Sequence, residues 1–268
     1  MASRHEQVVA DLRDASADLL ALVAPPADAH WGRATPAVGW SVQDQLNHLA
    51  WFDESAALAV TDPAEFLAGA SGLTGDLPDL LVSRQRGMSC GTTLDWFRSA
   101  RAAFLSVAGA TDGALRLPWY GTTMSLTSSV TARLMETWAH GQDVADALGL
   151  TRAPRPPGCG TSATSAWRPG RTASGCATCR SRRSTFLVEL SAPDGALWTW
   201  GSASDGQLVR GSALDFCLVV TQRRHPADTA PGTEGSVAAT WLSVAQAYAG
   251  LPGPGRGTVL RPSSGERT

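Results

Sequence analysis

Glu136 and His140 stand four residues apart in a segment whose inward-type positions, Leu134, Thr137, Trp138, Val144, Ala145 and Leu148, recur every three or four residues. That period predicts a helix over Arg133–Gly149. On a helix, residues i and i+4 lie one above the other, so a carboxylate and an imidazole share a face. Both are donors for first-row divalent ions, and together they are one short of a catalytic set. His48, in a second predicted helix, supplies the third donor. Two imidazoles and a carboxylate suit zinc, and three protein ligands leave one position open for water or substrate. The spacing by itself is common. The competing reading is a surface Glu–His pair worth about 0.3 kcal/mol, with His48 a satisfied histidine at a helix interface.

Holding these side chains together takes several helices. Residues 4–24 carry Val8, Leu12, Ala15, Leu19, Leu22 and Val23 at helical spacing and stop at Pro25–Pro26. Ser41 and Asp44 form a capping-box pattern opening the helix that carries His48 and buries Val42, Leu46, Leu49 and Phe52. PAEFLAGA, after Asp62, is a short helical segment. Residues 92–110 are amphipathic, with Leu94, Phe97, Ala100, Ala103, Phe104 and Val107 inward. A loop, LPWYGTTMS, leads into a long helix from about Leu126 to Leu148. The expected fold is therefore mainly α: a four-helix bundle over residues 1–150, whose facing helices can build a metal site. From Phe186 the texture changes. FLVEL, a Pro-Asp-Gly turn and ALWTW predict a β-hairpin, GQLVRG a further strand, and SALDFCLVVTQRRH and SVAATWLSVAQAYAG two helices. This makes a smaller α+β domain over residues 186–251, followed by a disordered tail over 252–268.

The 268 residues are 43% hydrophobic and 17% charged, a globular balance with ample sequence for a core. A net charge of −2 gives no electrostatic case for nucleic acid or an anionic membrane. No apolar run has bilayer-spanning length, and the acidic start MASRHEQVVADLRD lacks a signal-peptide core, which reads as cytoplasmic. All 22 basic residues are Arg, there is no Ile, and Asn47 is the only Asn, as a GC-rich gene would give.

Residues 151–185 break the pattern. Arg152–Thr185 has no Leu, Ile, Val, Met, Phe or acid, yet it holds seven Arg and three of the five Cys, including the CxxC of Cys176 and Cys179. A disordered linker and a zinc or redox loop are two readings. A third fits better: the segment is read out of frame. GC-rich codons for Cys159–Trp167, regrouped with a C borrowed from the Gly158 codon, give Leu-Arg-His-Val-Arg-His-Leu-Gly-Val, an amphipathic run. The CxxC is then an artefact, and the second domain is short of a helix and a strand. Sequencing the gene across this stretch is expected to reveal compensating frame changes; an unbroken original frame in close relatives would refute them.

The segments GWSVQDQLNHLAWFDE and ARLMETWAHGQDVADALG resemble the N-terminal metal-binding domain of mycothiol-dependent maleylpyruvate isomerase and its relatives, in the DinB-like four-helix-bundle superfamily. The family has a Trp-[Ser/Thr]-x-x-[Asp/Glu] helix start leading to a ligand His, and a Glu-x-x-x-His-x-x-Asp helix. The resemblance spans about residues 5–150 and implies His48, Glu136 and His140 as ligands to a divalent metal, zinc first. Asp143 then either orients a ligand or sits exposed on its helix. From Phe186 to Gly250 the chain also resembles an uncharacterised actinobacterial subfamily, whose counterpart of Arg152–Thr185 reads much like the regrouped frame. By the same resemblance, Arg223 and Arg224 stand near the place of an arginine used in substrate recognition and catalysis, where a guanidinium fork suits a carboxylate. Exposed helix-end cations are the plain alternative. Trp40, Trp51, Trp119, Tyr120 and Trp138 line a pocket or fill the core; His5 is expected at the surface and His30 in a loop.

The function implied is a thiol transferase or isomerase. The metal would bind a small thiol, mycothiol, and lower its pKa for attack on an electrophilic substrate. The rival is a metal-binding or thiol-sensing bundle without turnover. A short C-terminal stretch also resembles wyosine-forming tRNA enzymes, but the near-neutral charge argues against RNA as a partner.

Overall fold

A computed structural model describes residues 2–24, 28–71, 85–152, 186–201, 206–247 and 256–257. The proposed frame change, the CxxC of Cys176 and Cys179 and nearly all of the expected tail lie outside the described residues. The chain divides into two compact units, Met1–Ala153 and Pro154–Thr268.

The first unit is a four-helix bundle, the architecture the sequence pattern predicts. Its long helices are α1 (Arg4–Val23), α3 (Val42–Thr61), α5 (Cys90–Ala110) and α6 (Leu126–Leu148). Among the described residues, two short helices, α2 (Asp28–Trp31) and α4 (Pro63–Ala70), lie in the connections. Their ends follow local chemistry. Ser41 and Asp44 complete the expected capping box, with Ser41 N–H donating to the Asp44 carboxylate at 2.8 Å and Asp44 N–H to Ser41 Oγ at 3.2 Å. Gly149, at φ +69°, closes α6; its N–H and that of Leu150 return to the carbonyls of Asp146 and Ala145.

The segment expected as a loop between α5 and α6 is instead an antiparallel hairpin, β1 (Arg116–Trp119) and β2 (Thr122–Ser125), turning at Tyr120–Gly121. It buries Leu117 and Met124 against the bundle, which explains why so short a pair holds. His5, expected at the surface, is half-buried. Its ring bonds to Thr127 Oγ1 at 3.0 Å and the Ala108 carbonyl at 2.8 Å, pinning α1 to the start of α6 and the end of α5.

The bundle interior is two apolar clusters. Leu12, Ala56, Phe104, Leu126 and Leu134 belong to one; Leu19, Val42, Leu46, Leu49, Phe97 and Val144 belong to the other. Each fully buried Leu or Phe contributes about 1.5–3 kcal/mol. Along every long helix a buried polar residue lies, in sequence, between the two clusters: Ser16, Asp53, Arg101 and Thr137. Arg101 joins the other three. Its Nε donates to Asp53 Oδ2 at 2.6 Å, Nη2 to Thr137 Oγ1 at 3.0 Å, and Nη1 to Ser16 Oγ. One guanidinium thus touches a residue of each of the other three long helices.

The second unit carries a four-stranded sheet in the order β4-β3-β5-β6. β3 (Leu187–Ser191) and β4 (Leu197–Gly201) form the expected hairpin, β5 (Leu208–Ser212) runs parallel to β3, and β6 (Gly232–Glu234), a strand the sequence pattern does not signal, pairs antiparallel with β5. α7 (Ala213–Val220) is shorter than its apolar pattern predicts. Gln222 adopts φ 59°, and the N–H groups of Gln222 and Arg223 return to Val219 and Leu218, so a left-handed cap ends the helix before the arginines. α8 (Ser236–Val244) also stops early, because Ala245 is extended.

Candidate metal centre

His48 is on α3 and Glu136 and His140 are on α6, and the packing of α3 on α6 brings all three together. One ligand atom from each lies within 4.8 Å of the others. His140 Nε2 is 3.1 Å and His48 Nε2 3.9 Å from the same Glu136 oxygen, and the two imidazoles are 4.4 Å apart between centroids. Both histidines are buried, while the Glu136 side chain keeps 21% of its surface exposed, so the cluster has one open edge. Burial alone would push the Glu136 carboxyl up. The hydrogen bond to His140 and the charges of His140, Arg133 and His48 outweigh it and hold the group well below the usual carboxylate range. An ionised oxygen flanked by two imidazoles fits a divalent ion of the zinc type.

Aromatic rings wall the cluster. Trp40 lies 5.3 Å from His48 and stacks on His140 at 5.9 Å; Phe52 is 4.7 Å from His48. Trp51, Trp119 and Tyr120 are half-buried and continue from Phe52, with the Tyr120 hydroxyl donating to Ser55 Oγ at 3.2 Å. Trp138 is core. Arg133, one turn before Glu136, is 4% exposed and sits over the Phe52 ring at 5.4 Å. Burial lowers its pKa, opposed by the charges of Asp53 and Glu136.

Of the other expected residues, Asp143 is fully buried, so the exposed alternative does not hold. Asp44 is the cap partner, and its carboxylate also pairs with Arg86 at 3.3 Å. His30 lies within α2 rather than in a loop. Arg223 and Arg224 belong to the second unit, beyond the end of α7 and half-buried; their Nη1 groups donate to the carbonyls of Thr221 and Arg223 at 2.7 Å each.

Gln45 is the residue that periodicity alone passes over. It is fully buried one turn before His48, and its Oε1 is in hydrogen-bond contact with His140 Nδ1. The available signal was a polar amide three residues from Val42 and four from Leu49, on the buried side of α3.

A four-helix bundle holding a two-histidine, one-carboxylate cluster between its second and fourth long helices is the class that fold and site define. Within it, the chain belongs to the mycothiol maleylpyruvate isomerase N-terminal domain family, whose model matches residues 12–145. Two uncharacterised proteins of Mycobacterium tuberculosis, from strains CDC 1551 and H37Rv, are each 42% identical over 253 residues, covering 92% of this chain and 97% of theirs. Crystal structures of mycothiol-dependent maleylpyruvate isomerase and of a histidine-to-alanine mutant share the fold. Each has a TM-score of 0.59, at 13% and 12% identity, covering 87% of this chain and 96% of theirs. No described helix is long and apolar enough to cross a membrane.

Proposed function

We propose that His48, Glu136 and His140 hold a divalent metal, zinc first, and that the site activates a small thiol of the mycothiol type in a transfer or isomerisation reaction. The observation that carries this reading is the convergence of three ligand atoms within 4.8 Å, with one edge open. A bound ion would supply positive charge at an open position, which lowers the pKa of an approaching thiol. The protein's own contribution is to keep Glu136 ionised, to fix both imidazoles, and to wall the approach with Trp40, Phe52 and Tyr120, limiting water at the site. Arg223 and Arg224 remain the proposed receivers of a substrate carboxylate, for which a guanidinium fork is suited.

Cobalt-substituted protein tests the reading. Addition of mycothiol is expected to shift the visible cobalt absorption, and His48→Ala protein is expected to show neither the bound-cobalt spectrum nor the shift. Cobalt binding with no response to thiol would defeat thiol activation. A thiol response without turnover of any electrophile would favour a sensing bundle instead.

A further inference from the structure

We infer that Gln45, held by Thr35, is a positioning residue that fixes His140 as the tautomer offering Nε2 to the ion; the inference depends on the metal reading above. The Gln45 amide has partners at both ends. Its Nε2 donates to Thr35 Oγ1 at 2.8 Å, and its Oε1 meets His140 Nδ1. An amide's oxygen and nitrogen ends are alike in shape, so the hydrogen-bond network must decide which end faces the imidazole.

Thr35 makes that decision. Its hydroxyl hydrogen goes to a carbonyl, that of Trp40 at 2.9 Å or that of Ala37 at 3.4 Å, which leaves its oxygen to accept from the Gln45 NH2 at 2.8 Å. That turns Oε1, which can only accept, toward His140, so Nδ1 carries the proton. In the neutral ring the lone pair is then on Nε2, the atom 3.1 Å from Glu136 Oε2.

The loop that anchors the relay is itself closed. Thr35 N–H donates to the Trp40 carbonyl at 2.7 Å, Trp40 N–H to that of Ala37 at 3.0 Å, and Gly39 takes the left-handed φ of +81°. The same Trp40 stacks its ring on His140. One loop thus sets the proton and the plane of one ligand.

The test compares Gln45→Leu, Gln45→Glu, Thr35→Val and Asn47→Leu, the last removing another buried amide of α3. Zinc affinity is read by chelator competition, and the His140 tautomer by long-range ¹H–¹⁵N spectra of the zinc-loaded protein. Gln45→Leu is expected to weaken zinc binding about 10–100-fold, the usual cost of losing a ligand's outer partner. Gln45→Glu, which keeps the acceptor, should retain affinity within a few-fold, and Asn47→Leu should leave it unchanged. Thr35→Val, which frees the amide to turn, should fall between, with loss of the single Nδ1–H signature. If Gln45→Leu does not fold, Thr35→Val and Gln45→Glu decide. Wild-type affinity and tautomer in Gln45→Leu or Thr35→Val, or an equal loss in Asn47→Leu, overturns the inference. Wild-type protein that takes up neither zinc nor cobalt overturns the metal reading itself, and the inference with it.

Discussion

His140→Ala protein is expected not to bind the divalent ion proposed for the His48–Glu136–His140 cluster. The substitution removes one of the three proposed donors and also strands the buried Gln45 oxygen that contacts it. The two remaining donors, His48 and Glu136, come from different helices and make an incomplete set. The loss in affinity should therefore exceed the roughly 10–100-fold that removal of an outer partner costs. Glu136→Gln is the sharper companion, because it keeps the shape and removes the charge. Elemental analysis of proteins purified in parallel, followed by chelator competition, gives the numbers. A full metal complement in His140→Ala would remove the triad from consideration. Circular dichroism of the apo forms shows whether the bundle persists, so that loss of metal is not mistaken for loss of fold.

The largest effect on stability is expected at Arg101. Arg101→Met keeps much of the apolar stem and removes the guanidinium. Asp53 is then a fully buried carboxylate without its ion-pair partner, and Ser16 and Thr137 each lose a donor. Breaking one side of a buried pair typically costs about 3–5 kcal/mol. For a protein of this size that corresponds to a fall in Tm on the order of 10 °C. Replacing both members, Arg101→Met with Asp53→Leu, should recover most of the loss, since the desolvation cost leaves with the charges. Urea unfolding of the two single variants and the double variant measures the coupling directly. A double variant no more stable than Arg101→Met would show that the guanidinium works through Ser16 and Thr137 rather than Asp53.

Arg101 also shows why part of the fold is hidden from a one-dimensional reading. At its position the sequence gives Arg between Ala100 and Ala102 on an amphipathic helix, which suggests a solvated cation at the edge of the apolar face. Its partner Asp53 is 48 residues away and Ser16 is 85. Only the meeting of four helices turns an ordinary charge into a buried junction. The hairpin over residues 116–125 is hidden for a related reason. Four-residue strands carry too little alternation to register, and they form because Leu117 and Met124 find the bundle to pack on. The early stop of α7 depends on one backbone angle, at Gln222, a residue type with no strong left-handed preference.

What the sequence determined by itself was whatever neighbouring residues settle among themselves. The Ser41–Asp44 cap, the 3.6-residue periods of the long helices and the shared face of Glu136 and His140 are all local, and each is legible without any packing. Tertiary structure alone decided the rest. It set His48 opposite Glu136, closed the relay from Trp40 through Thr35 to Gln45 and from Gln45 to His140, 95 residues on, and buried Asp143. Hydrogen bonds of that kind are chosen by which helix faces meet, and the meeting of faces is decided by the burial of the whole apolar set, which no single stretch of the chain contains.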